Sequence, residues 1–163
     1  MEQALKFRNS LQQASSVSLD AVITADYESI IHTFKMNCLW DTGDQMKFTV
    51  LEPDSISGIA GTISQESGKI LFDDKALFFE TMADGQVSPI SATWLMMRAM
   101  KSGYIKGAGS SEGGYLVQLD DSYNENALNL NLQLNEACEP MSAEIFYDGR
   151  RVVSISVENF KIM

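Results

Sequence analysis

The sequence predicts a mainly β, α+β protein: a single antiparallel sheet of about ten or eleven strands, with two helices covering what the sheet leaves open. Three observations predict it. Segment after segment alternates apolar and polar residues with period two. Turn-forming residues separate these segments at short intervals. Two stretches, at residues 2–14 and 88–103, carry helical spacing instead. A chain of 163 residues suits one domain with a sizeable core, and 1–163 reads as a single domain.

The first helix runs from Glu2 to Ala14. Ala4, Phe7, Leu11 and Ala14 share a narrow arc, and the rest is polar apart from Leu5. That is a surface helix laying one stripe on a core. Strands follow. In "SVSLDAVITADY" Val17, Leu19, Ala21, Ile23, Ala25 and Tyr27 point one way, with Val22 as an exception on the other side. In "SIIHTFKMNCLWD" Ile30, Phe34, Met36, Cys38 and Trp40 alternate against polar residues, and His32 falls on the apolar side. Met46, Phe48 and Val50 alternate before Pro53 ends that strand. "GIAGTIS" adds Ile59 and Ile63, and "KILFDDKALFFETM" reads as a hairpin turning at Asp73-Asp74.

A second run resembles the first. Tyr115, Val117 and Leu119 alternate; Leu128, Leu130, Leu132 and Leu134 face in while Asn129, Asn131 and Gln133 face out. "MSAEIFYDGRRVVSISVENF" is a hairpin whose Asp148-Gly149 pair marks a two-residue turn. Short connections make a meander the simplest topology.

The middle helix, in "SPISATWLMMRAMKSGYI", is unusual. Ser88 suits its N-cap, Pro89 its first position, and Gly103 its stop. Ser91, Arg98 and Ser102 fall in one narrow polar strip. The arc from Leu95 through Ala92, Met96, Met100, Thr93, Met97 and Ile90 to Trp94 is mostly apolar and spans roughly 260°, against the ~100° that a single packing face needs. Such a helix meets apolar matter on two sides. Either it plugs a curved sheet that wraps it, its methionines filling gaps, or one side lines a cavity for an apolar ligand.

Chemistry-bearing motifs exclude more than they suggest. Twelve Lys and Arg against 22 Asp and Glu give a net charge of −10. That balance disfavours nucleic acid, and docking on an anionic membrane through the protein surface. No run approaches the ~18 apolar residues of a membrane span. His32, in a strand, reads as a core or rim histidine, and no G-x-S-x-G elbow accompanies it. "GAGSSEGG" (107–114) lacks the Lys-Ser/Thr of a phosphate-binding loop and reads as a hairpin loop. "LDDSYNEN" lacks the glycine and terminal glutamate of an EF-hand. The carboxylate pairs at Asp73-Asp74 and Asp120-Asp121 read as solvated turn residues. The expectation is therefore a non-enzymatic protein with no cofactor and no metal. Cys38 and Cys138 fit no metal spacing; a disulfide between them and two separate thiols both stay open.

The order helix, six strands, apolar helix, five strands resembles the LolA/LolB-like half-barrel superfamily of bacterial lipoprotein carriers, and within it small bacterial lipoproteins of uncharacterised role. The segments that carry the resemblance include "ADYESIIHTFKMNCLW", "KFTVLEPDSISGIAGTIS", "GKILFDDKALFF", "SPISATWLMMRAMKSGYI" and "AEIFYDGRRVVSISVENF", spread over nearly the whole chain. The resemblance implies an unclosed half-barrel with both helices on its concave side, sheltering an acyl chain. It implies export, with Met1 standing where a signal peptide and a lipid-carrying cysteine would precede, hence membrane association through a lipid anchor in an oxidising compartment. The expected ligand wall combines Trp94, Leu95, Met96, Met97 and Met100 with Phe34, Phe48, Phe78, Phe79 and Leu130. The expected partner is a hydrophobic or acylated small molecule; the alternative is an envelope protein-interaction scaffold with a self-filled core.

Overall fold

The computed structural model describes residues 1–26, 31–41, 43–64, 68–72, 75–79, 82–83, 86–121 and 127–163, with backbone alone over 68–87. Helix α1 (Glu2–Gln13) leads into β1 (Ser16–Asp26), β2 (Ile31–Asp41), β3 (Met46–Glu52), β4 (Ala60–Ile63), β5 (Gly68–Phe72) and β6 (Lys75–Phe79). A small pair, β7 (Met82–Ala83) and β8 (Gln86–Val87), and a 3-10 turn at Pro89–Ser91 precede helix α2 (Ala92–Ser102). The chain ends with β9 (Tyr104–Ser111), β10 (Gly114–Asp120), β11 (Asn129–Asn135), β12 (Pro140–Tyr147) and β13 (Arg150–Ile162).

Eleven of these strands form one sheet in the order β6-β5-β4-β3-β2-β1-β13-β12-β11-β10-β9. Each pairing is antiparallel. Two meanders therefore meet at the β1–β13 seam. The first runs outward from β1 to the β6 edge. The chain then crosses through α2 and returns inward from the β9 edge. β6 and β9 do not pair, so the sheet is an unclosed half-barrel, and α2 lies on the path between its two edges.

Period-two patterning decides which face is dry. β1 alternates without a break, burying Val17, Leu19, Ala21, Ile23 and Ala25, and β11 buries Leu130, Leu132 and Leu134. A one-residue slip in either strand would turn these side chains to solvent, so burial pins the register. α1 lays Ala4, Phe7 and Leu11 on the concave side, and the Phe7 ring meets Phe160 at 6.1 Å. The convex face is polar: Asp20 accepts from the amides of Asn37 and Asn159, each at 2.9 Å.

Three expectations need revision. Residues 107–114 are not a loop: β9 continues to Ser111 and β10 starts at Gly114, leaving only Glu112 and Gly113 as the turn. Pairing with β10 overrides the weak strand preference of Gly and Ser. His32 has the parity of the buried side chains of β2, yet it is exposed, a rim and not a core residue, since burial in that strand begins only at Phe34. Ser91 does not share the solvated strip with Ser102; it is completely buried. The Asp148-Gly149 turn forms as read, both residues lying at positive φ (51° and 75°), which a tight hairpin turn of this type needs. The Asp73-Asp74 turn, Tyr27, Ile30 and residues 122–126 lie outside the described residues.

Candidate functional site

α2 is the centre of the concave side, and the surrounding sequence holds it with polar groups at few points. The turn at 41–45 is one. Asp41 accepts from the backbone N–H groups of Gly43 (2.9 Å) and Gln45 (3.2 Å), which shapes the turn. Asp44 there has φ 59° and presents two groups to α2. Its carbonyl accepts from Trp94 Nε1 at 2.6 Å, and its carboxylate pairs with Lys101 Nζ at 2.9 Å. The Lys101 ammonium also sits 4.9 Å from the centre of the Trp40 ring, and the Arg98 guanidinium 5.4 Å from that of Trp94.

α1 is the other point. A helix leaves its last carbonyls without intrahelical donors. Arg8 donates to the carbonyls of Met100 and Ala99, and Gln12 to that of Lys101. The chain leaves α2 at Gly103, where an added Cβ would lie 2.5 Å from the Asp120 carbonyl oxygen. Close backbone approach, not a left-handed conformation, requires glycine there.

Of the ten residues expected to form the ligand wall, Trp94, Leu95, Met96, Met97, Met100, Phe34, Phe48 and Leu130 belong to one contiguous buried core. Met96 and Met97 are each 0% exposed, so protein atoms already surround them. Phe78 and Phe79 are in β6, whose side chains lie outside the described residues. Among the described residues, the side chains around α2 therefore pack directly on one another.

Sequence reading missed three polar groups in this core. Ser91 Oγ, Thr93 Oγ1 and Trp40 Nε1 are buried without an oxygen or nitrogen partner. Thr93 lies against the Cys38 thiol of β2. Burial pushes that thiol far above its ordinary range, the Thr93 hydroxyl opposing, so Cys38 stays neutral. Both cysteines are free. A separate groove of about 350 Å³ between α1 and β13 is lined by Lys6, Phe7, Ser10, Cys138, Phe160 and Lys161 among others. Its wall mixes charge with apolar surface, unlike the wall around α2. Among the described residues no helix is long and apolar enough to cross a membrane.

No protein family and no curated protein matches the chain. Solved structures do match it in fold. An uncharacterized conserved protein from Thermus thermophilus aligns with TM-score 0.53 at 12% identity, over 99% of this chain and 86% of its own. A LolA superfamily protein from Nitrosomonas europaea aligns with TM-score 0.51 at 11% identity, over 98% and 93%. A domain from Vibrio parahaemolyticus, assigned as an outer membrane lipoprotein-sorting protein, aligns with TM-score 0.51 at 7% identity, over 99% and 91%. The likeness spans whole chains and is one of fold: this chain has the LolA-like fold.

Proposed function

We propose that this LolA-like half-barrel is a non-enzymatic, extracytoplasmic binding module that holds an acyl chain or similar apolar group between its concave face and α2. The observation that carries the reading is the enclosure of α2. A helix that only covers one sheet needs one apolar stripe. α2 buries eight of its eleven residues, three of them methionines. Methionine is flexible and polarisable, which suits a wall that must repack around a chain. The proposed wall is Trp94, Leu95, Met96, Met97 and Met100, faced by Phe34, Phe48 and Leu130.

Because the described side chains around α2 already pack on one another, a ligand held among them must displace α2 part of the way. Burying a chain contributes ~0.8 kcal/mol per methylene, so ten methylenes supply ~8 kcal/mol toward that displacement. Membrane association would come from an N-terminal lipid anchor and not from the acidic surface. The same fold in a domain assigned to lipoprotein sorting agrees with a role in handling acylated molecules. Mass spectrometry of an organic extract of the protein, purified from envelope fractions without detergent, tests the reading. It predicts a co-purifying acylated species at near-stoichiometric amount; a lipid-free protein that also fails to take up added fatty esters contradicts it.

One observation favours the second reading, a protein-interaction scaffold. Met96 and Met97 already have no exposed surface. On this reading the free edges at β6 and β9 would do the binding by strand addition.

A further inference from the structure

We propose that Ser91 and Thr93 form the polar end of this ligand site, and that the ligand is a neutral acyl ester or amide whose carbonyl they bind. The inference rests on the reading that the concave face takes an acyl chain, and adds which head group it takes.

The starting point is a stranded set of donors. A buried hydroxyl or N–H without a partner destabilises the fold, and alanine and valine would fill the volumes of Ser91 and Thr93 without that penalty. Both groups are nevertheless enclosed without an oxygen or nitrogen partner, Thr93 meeting only the Cys38 thiol. The capacity they share is donation, which a hydroxyl offers freely. A molecule that satisfies them must supply acceptors.

Their placement gives the ligand a direction. Thr93, Met97 and Met100 are spaced i, i+4, i+7, so they stack along one face of α2. Thr93 marks the N-terminal end of that face, beside Cys38 of β2. Met97 and Met100 continue it over about 10 Å of helix. Ser91 precedes Thr93 in the turn that packs on β1. A carbonyl at Thr93 would thus leave its chain running along the methionines, in the seam between α2 and β2.

Charge decides between ester and free acid. Burying a carboxylate needs a cation beside it. Among the described residues, the cation that α2 places against β2, Lys101, sits on the Trp40 ring and is engaged by Asp44. Cys38 is a neutral thiol. A neutral carbonyl is the head group these surroundings accept.

The polar pins on α2 lie elsewhere: Trp94 and Lys101 on the 41–45 turn, and the last carbonyls on Arg8 and Gln12. Ser91 and Thr93 are held there by no side-chain hydrogen bond to oxygen or nitrogen among the described residues, only by the weaker contact of Thr93 with the Cys38 thiol, so that side can part from β2 while the rest stays attached.

Competition against a bound apolar dye tests the proposal, using methyl palmitate, palmitate and hexadecane. The native protein should bind the ester about tenfold more tightly than the hydrocarbon, the yield of one or two hydrogen bonds. The ester should also outcompete the free acid. In the Ser91→Ala, Thr93→Val double variant the preference for ester should collapse toward unity while Tm does not fall. Thr93→Ser, which keeps the hydroxyl, should retain it. Equal binding of ester and hydrocarbon by the native protein, or an undiminished preference in the double variant, overturns the polar end and leaves the acyl-chain reading standing. Failure of the dye and of all three competitors to bind removes that reading, and this inference with it.

Discussion

Arg8 of α1 donates through Nε to the carbonyl oxygen of Met100, 92 residues away, at 2.8 Å. Its Nη2 reaches the Ala99 carbonyl at 3.1 Å. One cationic side chain thereby reaches two carbonyls at the negative end of α2, that of Ala99 also accepting from the Gly103 N–H at 2.8 Å, and ties the two helices together. Arg8→Ala should lower stability by about 2 kcal/mol, as expected for hydrogen bonds to a charged group. Arg8→Lys should recover part of it. Urea midpoints check both; an unchanged midpoint in Arg8→Ala would show that the tie contributes nothing.

Gly103 admits the β10 backbone to the end of α2. A Cβ at this position would sit 2.5 Å from the Asp120 oxygen and 2.7 Å from that of Ala99. Both neighbours are backbone and cannot rotate away. Gly103→Ala should therefore destabilise by about 1–3 kcal/mol, the range for overpacking. Tm reads this directly, and a Tm equal to that of the native protein would refute the close approach.

The two cysteines should differ sharply toward a thiol reagent at pH 8. Cys38 is enclosed under Thr93 and its thiol is held neutral, whereas Cys138 is half-buried at the edge of the α1 groove. Only the thiolate attacks. One equivalent should react promptly and the second only as α2 parts from β2, faster in sub-denaturing urea. Two equally fast thiols would contradict the packing of α2 on Cys38.

Asp20 should give stability an acid dependence. The Asn37 amide, and after it the Asn159 amide and Lys35, hold its carboxyl below the ordinary 3.8 against an opposing desolvation. A depressed folded-state value means the contribution is complete above the unfolded value and is lost as pH falls through the folded one. Asp20→Ala should thus be less stable than the native protein at pH 7, with the gap narrowing as pH drops below about 4. Urea midpoints across pH 2.5–7 check the sign, and a gap that widens in acid would reverse it.

The strands with strict alternation were legible because sheet burial has the same period as the sequence pattern: β1 and β11 read off residue by residue. The breadth of the apolar arc of α2 likewise announced its enclosure. What escaped depends on tertiary contact. Nothing local marks Arg8 as a cap for a helix 91 residues on. Ser91 looked solvated because a helical wheel places it beside Arg98, but it lies in the 3-10 turn, where 100° spacing does not hold. β9 was hidden by glycines that pair well once β10 lies alongside. Of the ligand wall, the sequence marked which residues gather in one core; it could not show that they would pack so tightly on one another, since packing density is a property of the assembled volume.

Methionine methyl NMR tests the central claim most directly. The chain has nine methionines, three of them, Met1, Met141 and Met163, about half exposed and far more accessible than Met96, Met97 and Met100 in the core. Titration of methyl-labelled protein with methyl palmitate should shift Met96, Met97 and Met100 saturably while the three exposed methyls stay in place. Shifts confined to Met1, Met141 and Met163, or none at all, would contradict a ligand held between α2 and the concave face.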